Sequence, residues 1–148
     1  LACEGEHLVL LGGLGEEGLL SDVWLSTDGG RTWAGLGPAP WAPRSGHEAI
    51  VHDDKLIVLG GRGDEDRKLR DLWESHDWGR SWQEMPCPKW PARAFFQALV
   101  LPLMTAGMHA TRDHIVIFGG RGTGEKAMRD VWLSENGGFS WKEAEVPP

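Results

Sequence analysis

Three copies of one pattern constrain the fold of this chain more than any other feature. In each copy an apolar run ends in a glycine pair, an Asp-(Val/Leu)-Trp triplet follows, and a tight turn leads to a second tryptophan. The two tryptophans are nine residues apart in every copy, and the first one recurs after 49 and then 59 residues. Internal repeats of this period are typical of a solenoid, an array or a propeller. The glycine pairs are Gly12-Gly13, Gly60-Gly61 and Gly119-Gly120, and the tryptophan pairs are Trp24 and Trp33, Trp73 and Trp82, and Trp132 and Trp141.

The same pattern predicts four strands per repeat, named a to d in chain order. A short apolar run that ends in glycine is typical of a buried strand and gives strand b. The triplet opens strand c, and the second tryptophan lies in a short strand d. Only six residues precede strand b of repeat one, so we predict that this repeat lacks strand a. The predicted bounds are Gly46–His52 and Ala94–Leu101 for a; His7–Leu11, Lys55–Leu59 and His114–Phe118 for b; Asp22–Ser26, Asp71–Ser75 and Asp130–Ser134 for c; and Thr32–Ala34, Ser81–Glu84 and Ser140–Glu143 for d.

Two proline-rich stretches, Gly37–Arg44 and Met85–Arg93, separate the repeats. Proline lacks the N–H that a central strand needs, so these stretches are predicted to be crossings between units. Each holds a tryptophan between prolines, Trp41 and Trp90, which we expect to pack over neighbouring strands. Strands a and b of repeat three are separated by a longer loop, Pro102–Asp113, that is either a partner-binding elaboration or tolerated surface.

Composition excludes several functions. The formal net charge is −7, which argues against a nucleic-acid or anionic-membrane binder. No apolar run approaches the length of a membrane span, and no signal peptide is visible, which favours a cytoplasmic location. Cys3 and Cys87 lie in different repeats and are expected to be unpaired thiols. The start in mid-pattern without an initiator methionine favours a fragment of a longer chain.

The glycine pair, the Asp-Val-Trp triplet and the second tryptophan resemble the kelch repeat over nearly the whole chain. That resemblance implies an all-β fold, a β-propeller of four-stranded antiparallel blades. Three blades of a partial ring are then visible, in a single domain over residues 1–148, with blade one at about 1–36, blade two at about 43–86 and blade three at about 92–145. Six or seven blades would complete the ring.

A second signature overlaps the first at each turn between strands c and d. Ser26–Trp33 and Ser75–Trp82 resemble the Asp-box of sialidases and related propellers, Ser-x-Asp-x-Gly-x-(Thr/Ser)-Trp, and Ser134–Trp141 carries Asn in place of Asp. The chemistry suits a turn, because Asp or Asn accepts backbone hydrogen bonds and glycine allows positive φ. Since asparagine is a poorer hard-cation ligand than a carboxylate, we predict that Asp28, Asp77 and Asn136 stabilise turns and bind no metal.

Catalytic and cofactor chemistry is not predicted within this segment. The sequence has no tyrosine, which both the sialidase nucleophile and the copper site of the galactose-oxidase type require. No His-x-His, Cys-x-x-Cys or phosphate-loop spacing occurs, so no metal and no cofactor is expected. His47 follows Pro43–Gly46 at the start of a predicted strand a, where kelch-type histidines make hydrogen bonds between blades.

One face of such a propeller carries the b–c loops and the d–a crossings, and this architecture usually binds partners there. Arg62 and Arg121 occupy the same position after their glycine pairs. Arginine and tryptophan on a rim suit an acidic partner or a sugar, although the loop charges are equally consistent with a solvated rim. The candidate binding residues are Arg62, Arg121, Arg44, Arg93, Trp41 and Trp90.

The sequence therefore predicts a non-catalytic scaffold for protein–protein interaction. The alternative is part of a sialidase-like, glycosidase-like or carbohydrate-binding propeller, with any catalytic residues outside this segment. The expected partner is a protein, with a carbohydrate as the alternative and the missing blades as neighbours. We also predict that all six repeat tryptophans are buried, and that the isolated chain exposes apolar faces and self-associates.

Overall fold

The computed structural model describes residues 1–103 and 112–145 and is all-β over those residues. Three antiparallel sheets of four strands each follow one another along the chain. We call them unit 1, unit 2 and unit 3. Their strands are β1 (Ala2–Glu4), β2 (His7–Gly15), β3 (Gly18–Ser26) and β4 (Ala34–Pro38); β5 (Glu48–His52), β6 (Lys55–Arg62), β7 (Lys68–Ser75) and β8 (Gln83–Glu84); and β9 (Gln97–Leu103), β10 (Arg112–Phe118), β11 (Val131–Ser134) and β12 (Lys142–Glu143).

Unit 1 has all four strands, so the prediction that it lacks strand a is wrong. The short strand β1 pairs with the start of β2, with Ala2 opposite Val9 and Glu4 opposite His7. The turn between them is tight because Gly5 adopts a left-handed conformation, with φ of 57°. Three residues before a tight turn are enough to form a paired strand. The prediction made from the six residues before His7 did not allow for so short a strand.

Several strand bounds also differ from the predicted ones. In unit 1, β2 and β3 continue into a hairpin, so their pairing extends to Gly15 opposite Gly18. The strand β4 includes Gly37 and Pro38, which were assigned to the crossing. Strands β9 and β10 extend into both ends of the predicted loop Pro102–Asp113, and Met104, Met108 and His109 lie outside the described residues.

The glycine pairs create a bulge in the long central strands of units 1 and 2. The register between β6 and β7 shifts between Leu59 and Gly61, and the equivalent shift in unit 1 lies between Leu11 and Gly13. Gly60 has φ of 53°, and a Cβ there would meet the Arg93 carbonyl oxygen at 3.0 Å. The pair is therefore needed both for its conformation and for the close approach of the following crossing.

The hydrophobic core lies between the sheets rather than within any one of them. One cluster joins unit 1 to unit 2 through Val9, Leu11, Leu56 and Val58. A second cluster joins unit 2 to unit 3 through side chains from the opposite face of β6 and from β10. Because successive residues of a strand point to opposite faces, β6 contributes Leu56 and Val58 to one interface and Ile57 and Leu59 to the other.

The strands of type a lie next to one another in one row, since β5 contacts both β1 and β9. The three units are therefore side by side, with corresponding strands in corresponding places. Among the described residues, no helix is long and apolar enough to cross a membrane.

The prediction that all six repeat tryptophans are buried is confirmed for Trp141 and wrong for Trp24 and Trp33, and the other three are only half-buried. Trp24 and Trp33 are 40% and 39% exposed, whereas Trp141 of unit 3 is only 6% exposed. Trp73, Trp82 and Trp132 are half-buried and pack against the two clusters. The burial of a repeat tryptophan therefore depends on whether a proline-rich crossing covers its ring.

Candidate functional site

Each proline-rich crossing is held by one arginine that bonds to two units. The Arg44 carbonyl accepts a hydrogen bond from Gly13 N–H at 2.9 Å, and its own N–H donates to the Leu20 carbonyl of unit 1. Its guanidinium donates to both carboxylate oxygens of Asp71, at 2.8 and 2.7 Å, and to the Gly60 carbonyl of unit 2. The backbone of one residue thus fixes unit 1 while its side chain fixes unit 2.

Arg93 repeats this arrangement between units 2 and 3. Its backbone bonds to Gly61 and Leu69, and its guanidinium forms a two-oxygen pair with Asp130 and also donates to the Gly119 carbonyl. Both arginines are almost completely buried. Paired, planar guanidinium–carboxylate contacts of this kind are among the strongest hydrogen bonds in proteins.

The two arginines lower the pKa values of their partner carboxylates. Burial raises the pKa of Asp71, but the hydrogen bonds and charge of Arg44 outweigh it, so that the pKa is lowered overall. The pKa of Asp130 is lowered in the same way, with burial opposed by Arg93 and by the hydrogen bond from Trp132. Both pairs are therefore ionised near neutral pH.

The crossing tryptophans fill the gaps between sheets. The Trp41 ring lies 5.4 Å from the Trp73 ring and 4.7 Å from the Trp82 ring, and it is 6% exposed. Trp90 is fully buried, 6.1 Å from the rings of Trp141 and Phe96. Of the six candidate binding residues, Arg44, Arg93, Trp41 and Trp90 are thus engaged inside the fold, and only Arg62 and Arg121 are accessible.

Arg62 and Arg121 lie together where the b–c loops meet the crossings. Ser45 pairs with Arg62 across an isolated bridge, and Ala94 pairs with Arg121 in the same way. A shallow depression of about 470 Å³ lies between the two arginines and is completed by one aromatic and two acidic side chains. We call it the Arg62–Arg121 surface; its residues are Arg62, Asp66, Phe95, Arg121 and Glu125.

A buried lysine links the two loops that form this surface. The Lys68 ammonium donates to Asp66 and to Glu125, each at 2.7 Å, and so joins unit 2 to unit 3. Burial lowers the pKa of Lys68, but the two carboxylates outweigh it and raise the pKa overall. Hydrogen bonds from Lys68 and then Arg121 lower the pKa of Glu125 to about 2.

Phe95 is the unusual residue of the surface. It is 54% exposed and adopts φ of 55°, a left-handed conformation that is rare and costly for a bulky residue. The Arg62 guanidinium lies 5.4 Å from the centre of the Phe95 ring, in a cation–π contact. The ring also covers Gly46, where a Cβ would approach it to 2.8 Å. An exposed aromatic ring is therefore held in a fixed position next to two arginines.

Sequence reasoning missed Phe95 and Lys68. Phe95 occupies in repeat three the place that Gly46 has in repeat two, and an aromatic residue at a glycine position was a usable signal. No such signal marks Lys68, because its partner Glu125 lies 57 residues away in another unit.

The three c–d turns share one hydrogen-bonding pattern. In unit 1, Ser26 Oγ accepts from Gly30 N–H at 2.9 Å, and Asp28 Oδ1 accepts from Thr32 N–H at 2.9 Å. The closing Trp33 donates from its indole to the Gly30 carbonyl. Hydrogen bonds from the Thr32 hydroxyl and backbone lower the pKa of Asp28 to about 2.

Asn136 closes the turn of unit 3 with one bond reversed. Its Oδ1 accepts from Ser140 N–H at 2.9 Å, as Asp77 Oδ1 does from Ser81 N–H. Its Nδ2, however, donates to Ser140 Oγ, whereas the Ser81 hydroxyl donates to Asp77. The hydroxyl can take either role, so the turn accepts Asp or Asn.

Within residues 1–103 and 112–145, no group of three or more His, Cys, Asp or Glu side chains could hold a metal ion. Cys3 and Cys87 are both exposed free thiols. The His47 ring is largely enclosed at the start of β5, and burial followed by the nearby Arg44 charge lowers its pKa to about 4.

Comparison with known proteins gives a partial sequence similarity and shows no family for this chain. No protein-family model matches it. A rice protein (Oryza sativa subsp. japonica) described as adagio-like protein 2 is 46% identical over 69 residues, which cover 43% of this chain and 11% of the relative. The chain therefore spans about a tenth of the length of this curated relative.

Proposed function

We propose that the chain is a run of three blades of a kelch-like β-propeller that acts as a non-catalytic scaffold for protein–protein interaction. The partner binds at the Arg62–Arg121 surface. The observation that carries this proposal is Phe95, an exposed aromatic ring held in a strained backbone conformation beside two arginines.

The propeller part of the proposal is supported by the arrangement of the units. Three four-stranded antiparallel sheets lie side by side, with the a strands in one row and apolar cores between the sheets. Each crossing runs from strand d of one unit to strand a of the next, as successive blades require.

Binding at this surface is supported by its composition. Aromatic and arginine side chains are the types that contribute most to protein interfaces. The two arginines and two carboxylates of the surface balance, and the buried Lys68 beneath them adds one positive charge that favours an acidic partner. The buried lysine keeps the loops of two units in register, which reduces the entropy lost on binding.

A peptide-display selection tests the proposal. Random peptides are selected on the immobilised chain and counter-selected on Phe95→Gly, a variant suited to the positive φ at this position. We expect enriched peptides to combine an apolar anchor with an acidic residue, and to bind Arg121→Gln at least tenfold more weakly. Failure to enrich any peptide, or enriched peptides that bind Arg121→Gln as tightly as the parent protein, would contradict this assignment.

In the sialidase-like, glycosidase-like or carbohydrate-binding alternative, any catalytic residues lie outside this sequence. It stays a prediction that no observation on the described residues favours.

A further inference from the structure

The two interfaces between units differ at the end of the sheets where the a–b and c–d turns lie. Between units 1 and 2, the Trp78 ring of one c–d turn stacks on the His7 ring, with the ring centres 4.6 Å apart. In the c–d turn of unit 3, Gly137 has the place of Trp78, and Lys55 begins β6 as His7 begins β2. Gly137 therefore leaves open, between units 2 and 3, the space that an indole ring fills between units 1 and 2.

A cavity of about 260 Å³ lies in this space, and we call it the Gly137 cavity. A Cβ on Gly137 would lie 3.3 Å from the Lys55 ammonium nitrogen and 3.6 Å from Nδ1 of His52, so the glycine keeps room beside both groups. Lys55 and Arg62 are the two ends of β6, so the cavity lies at the opposite end of the sheets from the Arg62–Arg121 surface. Besides Gly137 itself, the lining residues are His52, Asp53, Lys55, Asp113, Glu135 and Asn136.

His52 presents an unused hydrogen-bond acceptor to the cavity. Its side chain is only 4% exposed, and its Nε2 lies 3.3 Å from the Asp113 carbonyl oxygen. Because a carbonyl only accepts, Nε2 carries the proton, and Nδ1 of the neutral ring has a lone pair. Among the described residues, the buried Nδ1 has no hydrogen-bond partner, and the Asp53 carboxylate 3.4 Å away is itself an acceptor. A buried acceptor without a donor is costly, so this atom points to a ligand that donates a hydrogen bond.

The cations next to the cavity are engaged by other carboxylates. The Lys55 ammonium donates to the buried Glu74 carboxylate at 3.0 Å. On the other side, the exposed Lys142 ammonium lies 3.5 Å from Glu135, and the His114 ring lies 3.9 Å from the same carboxylate. The two remaining carboxylates of the lining, one from each unit, therefore make the cavity favourable for a cation.

We propose that the Gly137 cavity binds an alkylammonium group, supplied by the side chain of a partner's lysine or by the end of a free polyamine. An ammonium has three N–H donors and no acceptor, so it can donate to Nδ1 of His52 and to the carboxylates of Asp53 and Asp113. Its methylene chain lies in the space that Trp78 fills in the other interface. Within residues 1–103 and 112–145, no three His, Cys, Asp or Glu side chains could hold a metal ion, so an organic cation fits this cavity better.

Two probes share the ammonium group and differ in its source. Nα-acetyl-lysine methylamide represents a lysine side chain in a protein, and spermidine represents a free polyamine. Each is titrated into the intact chain while long-range ¹H–¹⁵N NMR follows the ring nitrogens of His52. We expect saturable binding at about millimolar concentration, with a shift of the Nδ1 signal and the proton retained on Nε2. The uncharged Nα,Nε-diacetyl-lysine methylamide should not bind, and the tighter of the two charged probes identifies the source.

Two neighbouring aspartates provide a matched pair of variants. Asp53→Asn and Asp54→Asn remove the same charge from one exposed turn, but only Asp53 lines the cavity. Asp53→Asn should weaken binding of both charged probes about tenfold, and Asp54→Asn should weaken it less than about twofold. Equal losses in the two variants would mean that the probes are attracted only by the overall negative charge, which would overturn the proposal.

Filling the cavity is the second test. Gly137→Trp copies the turn of unit 2, where Trp78 adopts φ of 59°, close to the 66° of Gly137. The added ring should abolish binding of both charged probes. Unchanged binding to this variant, no saturation by about 10 mM of either charged probe, or a His52 Nδ1 signal that does not shift would overturn the proposal. The Asp53 and Asp54 variants remain decisive if Gly137→Trp does not fold.

Discussion

Units 1 and 2 carry the same tryptophan motif and differ in what covers it. In both units the first indole bonds to the aspartate two residues before it, and the second bonds to a turn carbonyl. Only in unit 2 does a crossing insert Trp41 between the two rings. The motif therefore fixes the rings within a unit, whereas their burial comes from the neighbouring unit.

This difference shows what the repeat encodes. A single sheet of this kind has apolar side chains on both faces and cannot bury either alone. The repeated residues therefore form the interfaces between units. Substitutions at the crossings should then have the largest effects on the free energy of unfolding.

The largest contrast is expected between Trp90 and Trp24. Trp90→Ala removes a fully buried ring from between units 2 and 3 and should lower the free energy of unfolding by about 3–5 kcal/mol. Trp24→Ala removes a half-exposed ring and should cost less than about 2 kcal/mol. Urea unfolding of both variants checks this, and equal losses would show that the motif tryptophans are core residues within a unit.

The buried arginines should give the next contrast. Arg93→Ala leaves Asp130 and the Gly119 carbonyl without their partner, and breaking a buried pair costs about 3–5 kcal/mol. Asp22→Asn in unit 1 breaks no such pair and should change the free energy of unfolding by about 0.5 kcal/mol or less. Chemical denaturation measures both, and a small effect of Arg93→Ala would refute its role in joining units.

Acid sensitivity distinguishes unit 2 from unit 3. His47 of unit 2 occupies the place that Phe96 has in unit 3. Its folded pKa of about 4 lies below the unfolded value of 6.5, so the unfolded chain binds more protons between these pH values. Stability is then fully present above pH 6.5 and falls by up to about 3 kcal/mol as pH drops to 4.

His47→Phe introduces the residue that unit 3 has at this position and should remove that loss of stability. Thermal unfolding across this pH range is the test. The lowered pKa values of Asp71 and Asp130 act in a separate window. Their contribution is present above the unfolded value of 3.8 and is lost only as pH falls through the folded pKa. A variant that keeps the full slope between pH 6.5 and 4 would exclude His47 as its cause.

The turn serines should give a smaller and more uniform effect. Ser26, Ser75 and Ser134 are all buried, and each accepts a hydrogen bond from a glycine N–H. Ser75→Ala leaves the buried Gly79 N–H without its acceptor and should cost about 1–3 kcal/mol. We expect Ser26→Ala to cost the same in thermal unfolding, because these bonds lie within one turn. A clear difference between the two would mean that the turns, like the tryptophans, depend on a neighbour.

Local patterns predicted the all-β class and the place of the turns well, because the glycine pairs and the Ser-x-Asp boxes act within about ten residues. The same patterns missed unit 1's first strand and wrongly predicted that Trp24 is buried, since both features depend on pairing or cover from elsewhere. The six candidate binding residues separate into buried and accessible ones for the same reason. Arg44 and Arg93 form pairs 27 and 37 residues away in sequence, a separation that spacing alone does not reveal.

A small net effect is expected from Phe95→Gly, which makes unit 3 resemble unit 2 at Gly46. Glycine relieves the left-handed strain, worth about 1–2 kcal/mol for a non-glycine residue. The variant also loses the cation–π contact with Arg62 and part of the ring's packing, worth a similar amount. These terms oppose each other, so the free energy of unfolding should change by less than about 1 kcal/mol. Gly46→Ala is the informative companion, because its Cβ would displace the Phe95 ring while leaving the ring present. A marked loss of stability in Phe95→Gly, measured by urea unfolding, would mean that Phe95 is held in place for folding and not for binding a partner.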